Sequence, residues 1–363
     1  MKVMIMAGGT GGHVYPALAV AHELKRRGHD VVWMGAPDSF ESRVVPQQGF
    51  PIEFVRVGGL RGKGLAKLML APLLIARAML DAWAALRKRK PDVALGMGGF
   101  AAGPGGLVAR LWGVPLVIHE QNAAAGLTNR WLARIANRVL EAFPNTLAGA
   151  AVAGNPVRAA IHAVAEPQAR LHGRSGPARL LVVGGSQGAR ALNERVPEAL
   201  ALLPAGERPE VRHQAGRTVE IARAAYARAG VTAIVESFIE DMATAYAWAD
   251  LVVCRAGAST VAELAAAGCP ALLVPFPAAV DDHQTRNGEH LVRAGAAVLV
   301  QESALTAPKL AEQLRGLLGD RARLLTMARA ARGAAWQQAE QRIADAVIAE
   351  AASDRGARGQ GHG

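Results

Sequence analysis

The chain has 363 residues, more than a single hydrophobic core usually serves, so two domains are expected. Hydrophobic residues make up 51% of the chain and aromatic residues 4%, a composition that excludes an intrinsically disordered protein. Two cysteines, Cys254 and Cys269, form no CxxC pair and exclude a disulfide framework, as expected in a reducing cytoplasm. The glycine-rich N-terminus lacks the pattern of a signal peptide.

The net charge is unevenly distributed along the chain. Residues 1–158 hold 19 basic and 9 acidic residues, a net charge of +10 out of +11 for the whole chain. This asymmetry indicates an anionic partner for the first half, such as a membrane, a nucleic acid or a phosphorylated acceptor. A high-GC genome would account for the arginines, although not for their uneven distribution.

In the first half, short apolar runs alternate with helical patterns. Residues 2–7 predict a strand, 8–13 a turn and 14–28 a helix, and further strands are predicted at 30–35, 91–99 and 115–122. Strands that are apolar on both faces and alternate with helices are typical of a parallel sheet covered on both sides.

The pattern restarts near residue 178, with a strand over 178–185 and a helix over 186–200. The sequence therefore predicts two doubly wound α/β domains, 1–157 and 158–321. A helix at about 322–351 is expected to pack back on the first domain, and residues 353–363 are expected to form a disordered tail.

Two glycine-rich loops, GGTGGH at 8–13 and GGSQGA at 184–189, follow the first strand of each half. Glycines allow a close backbone approach to a ligand, and the following helix start attracts anions, so Ser186 and its loop could bind a diphosphate. The first loop alone is a weak signal, because it matches neither a Walker A loop nor GxGxxG and could be a tight turn. Two such loops facing one another across a cleft are a much more specific pattern.

Glu263 is conspicuous on an alanine-rich helix within residues 254–277. Its carboxylate could accept hydrogen bonds from both ribose hydroxyls of a nucleotide, or could simply complement the helix dipole. In the following segment, His283, Gln284 and Asn287 suit sugar hydroxyls and an acetamido group. Asp281 and Asp282 invite a metal hypothesis, but the chain contains no Asp-x-Asp, so no metal site is predicted.

Two further segments of the first half allow alternative interpretations. In HEQNAAAGLTNR, residues 119–130, His119 and Glu120 could form an acid–base pair and Asn122 could bind an amide; the alternative is a satisfied loop network. Residues 58–90 combine a basic glycine-rich loop with an apolar helix that Lys67, Pro72, Arg77 and Asp81 interrupt too often for a bilayer span. This helix is either buried or lies on an anionic membrane surface.

Together these motifs resemble one family. GGTGGHVYPALAVA, GLRGKG, GMGGFAAGPGG, HEQNAAAGLTNRWLA, GNPVR, VVGGSQGARALN, FIEDMATAYAWADLVVCRAGASTVAELAAAG and DDHQTRN occur in the order expected of the undecaprenyldiphospho-muramoylpentapeptide β-N-acetylglucosaminyltransferases, the MurG family. The resemblance covers roughly residues 2–350, and Gly288 is a departure, because Ala is commoner there.

The resemblance implies the GT-B architecture, in which two Rossmann-like, doubly wound parallel-sheet domains enclose an interdomain cleft. It implies an inverting hexosyltransferase that moves N-acetylglucosamine from UDP-N-acetylglucosamine to the carbon-4 hydroxyl of the muramic acid sugar of lipid I. The products would be UDP and lipid II, for peptidoglycan synthesis. No cofactor and no obligatory metal are implied.

The resemblance also implies a site, residue by residue. The donor would be bound by Thr10, Gly11, Gly12, Asn122, Arg158, Ser186, Ile239, Ala258, Ser259, Thr260, Glu263 and Gln284. Glu263 would hold the ribose, and Ile239 would meet uracil through its backbone. His13 is the candidate general base, and Glu120 and His119 are its rivals. Acceptor and membrane would be met by Arg61, Lys63, Leu70, Leu74, Trp83, Gly98 and Gly99, with Trp112 nearby.

The implied location is the cytoplasmic face of the bacterial inner membrane, as a peripheral protein that meets an anionic surface, other cell-wall synthesis and division proteins, and no nucleic acid. Two other classes of function compete with this one. An NAD(P)-type oxidoreductase would use Asp38 as its ribose ligand, but it leaves the second glycine loop and Glu263 unexplained. A non-catalytic basic protein that binds membrane or nucleic acid would account for the charge alone.

Overall fold

The computed structural model describes residues 1–57 and 65–360, which form two compact units. The first unit comprises Met1–Arg158 and Gln337–Gly363, and the second comprises Ala159–Trp336. The boundary thus lies one residue from the predicted one, and Arg158 belongs to the first unit.

The first unit is built on a seven-stranded parallel sheet in the order β3-β2-β1-β4-β5-β6-β7. Its strands are β1 (Lys2–Met6), β2 (Asp30–Gly35), β3 (Ile52–Phe54), β4 (Val93–Gly96), β5 (Leu116–Glu120), β6 (Arg138–Glu141) and β7 (Ala151–Val152). Its first helices are α1 (Gly11–Arg26), α2 (Phe40–Gln47), α3 (Leu65–Arg89), α4 (Ala102–Leu111) and α5 (Leu127–Leu132).

Strand β1 shows why the sheet is covered on both sides. Alternate residues point to opposite faces of a strand, and both faces of β1 are apolar. Val3 and Ile5 pack in the core that contains α1, whereas Met4 and Met6 pack in the core that contains α3 and α4. Each such fully buried side chain stabilises the fold by about 1.5–3 kcal/mol.

The second unit repeats the architecture with a six-stranded parallel sheet in the order β10-β9-β8-β11-β12-β13. Its strands are β8 (Arg179–Val183), β9 (Glu210–Gln214), β10 (Ile234–Glu236), β11 (Leu251–Cys254), β12 (Ala271–Leu273) and β13 (Ala297–Leu299). Its helices are α6 (Ala159–His162), α7 (Pro167–Leu171), α8 (Arg190–Ala201), α9 (Val219–Ala229), α10 (Met242–Trp248), α11 (Ala258–Ala267), α12 (His283–Arg293), α13 (Ala307–Leu318) and α14 (Arg321–Gly333).

The C-terminal region differs from its prediction. The prediction of a single helix at 322–351 is wrong, because two helices occupy this region. The first, α14, ends at Gly333 and packs on α11 in the second unit. The second, α15 (Ala339–Gln360), packs on α1 in the first unit. The helices are divided by a loop in which Gln338 has a left-handed φ of 58°. The predicted disordered tail, residues 353–363, is helical as far as Gln360, and the Ser353 hydroxyl donates to the carbonyl of Ala349. Residues 361–363 of this prediction lie outside the described residues.

In both sheets the strand order reverses beside the first strand, between β1 and β4 and between β8 and β11. The loops that leave the carboxyl ends of strands at such a switch point diverge and open a crevice, which is where ligands bind in open α/β sheets. Ligand binding is therefore expected at the loops after β1 and β4, and at those after β8 and β11.

Candidate functional site

The first glycine loop, residues 8–10, is held by a buried carboxylate that the sequence analysis missed. Glu41 is 1% exposed, and its oxygens accept hydrogen bonds from the backbone N–H groups of Gly9 at 2.9 Å and Ala36 at 3.0 Å. A Cβ on Gly8 would overlap this carboxylate, and a Cβ on Gly99 would overlap the backbone of Gly8. The loops after β1, β2 and β4 therefore pack too closely for side chains at these glycines.

His13 is the third residue of α1 and is partly buried. Its Nδ1 lies 3.1 Å from Oε1 of Gln121, whose amide nitrogen donates to the Met97 carbonyl at 2.7 Å. A Cβ on Gly98 would lie 2.7 Å from the imidazole ring, so Gly98 leaves the space that the ring occupies. The switch point thus brings together His13 and Gly98, which the sequence analysis had named separately.

The rival bases His119 and Glu120 are buried beneath this site, at 0% and 2% exposure. Glu120 accepts hydrogen bonds from the backbone N–H groups of Asn122 and Gly126 and from the amides of Asn122 and Asn129, at 2.9–3.2 Å. His119 Nε2 lies 2.8 Å from the Gly154 carbonyl, and burial lowers the pKa of His119 to about 4. Glu120 thus fastens the loop after β5 and His119 ties the end of β5 to the segment after β7, which favours the loop-network interpretation for this pair.

The remaining predicted residues of the first unit lie around the start of α1. Thr10, the N-cap of α1, and Gly12 are exposed, and the Thr10 side chain makes no capping hydrogen bond. Gly11 and Asn122 are partly buried. The Arg158 guanidinium lies over the ring of Tyr15, also on α1, at 5.3 Å from the ring centroid.

In the second unit, the loop GGSQGA packs against neutral groups. Gly185 and Gly188 have φ values of +77° and +83°, and a Cβ on Gly188 would overlap the Thr218 hydroxyl. Asn193 donates to that hydroxyl at 2.8 Å and lies 2.9 Å from Nε2 of the fully buried His213. These contacts join the loops after β8 and β9 and leave Ser186 exposed.

Glu263 lies beyond the first turn of α11, as its sixth residue, where the helix dipole has little effect. An interaction with the helix dipole therefore does not account for Glu263. The buried Tyr246 hydroxyl donates to Oε2 of Glu263 at 3.1 Å, and burial together with the Glu263 charge raises the pKa of Tyr246 well above its usual value. Tyr246, which the sequence analysis missed, thus orients the partly buried carboxylate. In the first turn of the same helix, Ala258 is buried and Ser259 and Thr260 are half-buried.

Residues 274–282 of the second unit connect β12 to α12 and are held from several sides. Arg255 donates to the carbonyls of Val274 and Pro275 at 3.1 Å and pairs with Glu302. Gln284 accepts a hydrogen bond from the Phe276 N–H at 2.9 Å. Asn287, on α12, is fully buried and donates to the Ala256 carbonyl at 3.2 Å, so it ties α12 to the loop after β11 and is not available to a sugar.

The loop after β10 borders an open depression of about 410 Å³. Ile239 is 4% exposed and lines this depression together with Arg212, Phe238 and Thr244. Within residues 1–57 and 65–360, no group of three or more His, Cys, Asp or Glu side chains is arranged to hold a metal ion.

The first unit has an exposed apolar surface on α3 and α4. Leu74 and Trp83 are 42% and 43% exposed, whereas the buried face of α3 is formed by small residues such as Ala78 and Ala82. Trp83 stacks on Trp112 with ring centroids 5.9 Å apart. The alternative that α3 is a buried helix therefore holds only for its alanine-lined face. In the part of the chain that the structure describes, no helix has the length and apolarity of a membrane span. Arg61, Lys63 and the Leu70 side chain lie outside the described residues.

Comparison with protein families and known proteins points to one family. The model of the glycosyltransferase family 28 N-terminal domain matches residues 3–141, and that of the C-terminal domain matches residues 179–346. The chain is 56% identical to a UDP-N-acetylglucosamine–N-acetylmuramyl-(pentapeptide) pyrophosphoryl-undecaprenol N-acetylglucosamine transferase of Marinobacter nauticus, covering 94% of this chain and 95% of that protein. It is 58% identical to the protein of the same name from Xanthomonas euvesicatoria, covering 98% of this chain and 82% of that protein.

A solved structure gives the same result. The crystal structure of Acinetobacter baumannii MurG is similar to this one with a TM-score of 0.80 and 44% identity, over 96% of this chain and 99% of that chain. The calicheamicin glycosyltransferase CalG4, at 18% identity and a TM-score of 0.65, shares the fold. The predicted fold class and family are confirmed, and neither the oxidoreductase nor the non-catalytic alternative is supported.

Proposed function

The chain belongs to glycosyltransferase family 28, and we propose that it transfers N-acetylglucosamine from UDP-N-acetylglucosamine to the carbon-4 hydroxyl of the muramic acid sugar in lipid I. The products are lipid II, a precursor of peptidoglycan, and UDP. The observation that carries the proposal is identity of 56–58% over nearly the whole chain with transferases that are named for this reaction.

In the proposed reaction, the acceptor oxygen attacks the anomeric carbon of the donor from the face opposite the diphosphate. The bond from that carbon to the diphosphate oxygen breaks, UDP leaves with the electron pair, and the configuration inverts. His13 takes the proton of the attacking hydroxyl. Among the three candidate bases, only His13 combines partial solvent access with a position at the switch point, which supports this assignment.

Donor binding is proposed for both glycine loops and for the loops after β11 and β12. Glu263, oriented by Tyr246, accepts hydrogen bonds from the ribose hydroxyls. The helix starts behind these loops, together with Arg158, stabilise the charge that develops on UDP, so the reaction needs no obligatory metal.

The exposed apolar surface of α3 and α4 is proposed to bind the cytoplasmic face of the inner membrane, where the lipid acceptor resides. Large side chains such as Leu74, Leu80 and Trp83 are 42–66% exposed on this surface, and Arg87 lies against the Trp83 ring at 5.2 Å. Apolar side chains flanked by cations are the pattern that lets a helix lie on an anionic bilayer.

The direct test is release of UDP from UDP-N-acetylglucosamine with and without a water-soluble lipid I analogue, with the glycosylated product identified by mass spectrometry. Acceptor-dependent release of UDP is expected, whereas UDP-glucose, which lacks the acetamido group, should give much less. Absence of release with both donors in a folded, UDP-binding protein would refute the proposed reaction.

A further inference from the structure

Gln121 lies directly after β5 and makes two hydrogen bonds that the proposed reaction does not account for. The residue is 1% exposed. Its Nε2 donates to the Met97 carbonyl at 2.7 Å, and its Oε1 lies 3.1 Å from Nδ1 of His13. We infer that Gln121 is a positioning residue that holds His13 as the Nδ1–H tautomer and so leaves Nε2 as the basic atom.

The direction of the Gln121 amide follows from the nature of its partners. A backbone carbonyl can only accept a hydrogen bond, so the NH₂ group of the amide must face Met97. The amide oxygen then faces His13, and because that oxygen also only accepts, Nδ1 must carry the proton. A neutral imidazole has one proton, so the lone pair available to an attacking hydroxyl is on Nε2.

The ring orientation is restricted from a second side. Gly98, next to Met97, packs against the imidazole so closely that a Cβ would lie 2.7 Å from both Nδ1 and Cε1. Gly98 also has a φ of +90°, which disfavours other residues. A half-turn of the ring would move Nδ1 away from Gln121 and break the hydrogen bond, so the two contacts together select one orientation and one tautomer.

The support behind Gln121 is also rigid. The preceding residue, Glu120, is buried and accepts four N–H hydrogen bonds that fasten the loop after β5. Gln121 therefore presents its oxygen from a fixed backbone.

This inference rests on the proposed role of His13, so its test begins with a measurement that needs no substrate. In ¹⁵N-histidine-labelled wild-type protein, long-range ¹H–¹⁵N NMR distinguishes the tautomers, and the His13→Ala variant assigns the signal. Neutral His13 is expected as the Nδ1–H form. An Nε2–H signal would overturn the inference, even if the Gln121 variants did not fold.

Kinetics provide the second part of the test. Q121M keeps the side-chain length and removes both hydrogen bonds, and it should lower kcat about 10- to 100-fold, less than loss of the base itself. The KM for the donor and the melting temperature should change little. Q121E keeps an acceptor towards Nδ1 and should lose less activity than Q121M, whereas Q47M, the same change at an exposed glutamine of α2, should behave as wild type.

The outcomes separate the two claims. Wild-type kcat in a folded Q121M would overturn the positioning role. If wild-type protein released no UDP on adding acceptor, the proposed function would fail, while the NMR signal would still report which tautomer His13 adopts beside Gln121.

Discussion

The two units share a strand order and a glycine-rich loop after the first strand, but the two loops are held by different chemistry. In the first unit a buried carboxylate, Glu41, accepts from the N–H groups of Gly9 and Ala36. In the second unit the loop packs at Gly188 against the neutral Thr218 hydroxyl, which accepts a hydrogen bond from Asn193. Glycine spacing therefore specifies the close approach of loops, whereas the supporting side chains come from elsewhere in the chain and determine what each loop can do.

The two loops also differ in the side chains that they present. The first loop leads into a helix whose first turn contains an imidazole, His13, which can accept a proton. The second loop has the neutral side chains of Ser186 and Gln187 and backbone N–H groups, and in the same unit Tyr246 orients Glu263. We expect substitutions in the first unit to lower kcat more than donor affinity. Substitutions in the second unit should lower donor affinity more than kcat.

The largest expected effect is on turnover. His13→Ala should lower kcat by about 10²–10⁴, the usual contribution of a positioned base, with UDP affinity nearly unchanged. If His13→Ala keeps most of its kcat while a folded Glu120 or His119 variant loses it, the base is one of those residues and the comparison between the loops fails.

The second effect is on affinity and belongs to the second unit. Glu263→Ala should weaken UDP binding by about 2–4 kcal/mol, because two charge-assisted hydrogen bonds to the ribose are lost. Tyr246→Phe removes only the group that orients the carboxylate and should cost less. Titration calorimetry measures both, and unchanged UDP affinity in folded Glu263→Ala would eliminate the ribose role.

The sequence analysis named groups that are proposed to meet ligands, but it missed the groups that support them. His13 and Glu263 stand out locally, one at the end of a glycine loop and the other on an alanine-rich helix. Their partners Gln121 and Tyr246 are 108 and 17 residues away, and Glu41 is 32 residues from Gly9. Such pairings arise from the order of strands in the sheet, so no local pattern marks them.

A third prediction uses the buried histidines, one in each unit. Burial lowers the pKa of His119 to about 4 and that of His213 to about 3, from a usual value near 6.5. Between pH 6.5 and these values the unfolded chain binds more protons than the folded one, so stability falls as pH falls. Each residue should cost about 2 kcal/mol between pH 7 and pH 5.

Chemical denaturation at the two pH values measures this loss. In His213→Gln the amide can replace part of the network with Asn193, and the acid sensitivity of the second unit should decrease while that of the first remains. Equal acid sensitivity of wild type and His213→Gln in the transition of the second unit would contradict the assignment.

The smallest expected effect concerns the exposed apolar surface of α3. Through this surface the first unit, unlike the second, is proposed to contact the membrane. Replacing Leu74, Leu80 and Trp83 by Ser removes three side chains that are 42–66% exposed and should weaken binding to anionic vesicles about tenfold. Turnover of a water-soluble acceptor should be preserved, since these residues lie outside the switch point.

Leu202→Ser, at a 57% exposed leucine of the second unit, is the matched control and should leave vesicle binding unchanged. Because exposed side chains contribute little to the core, the melting temperature should also hold. If the triple variant instead loses turnover and melting temperature together with vesicle binding, α3 serves the core of the first unit, and the proposed membrane surface must be abandoned.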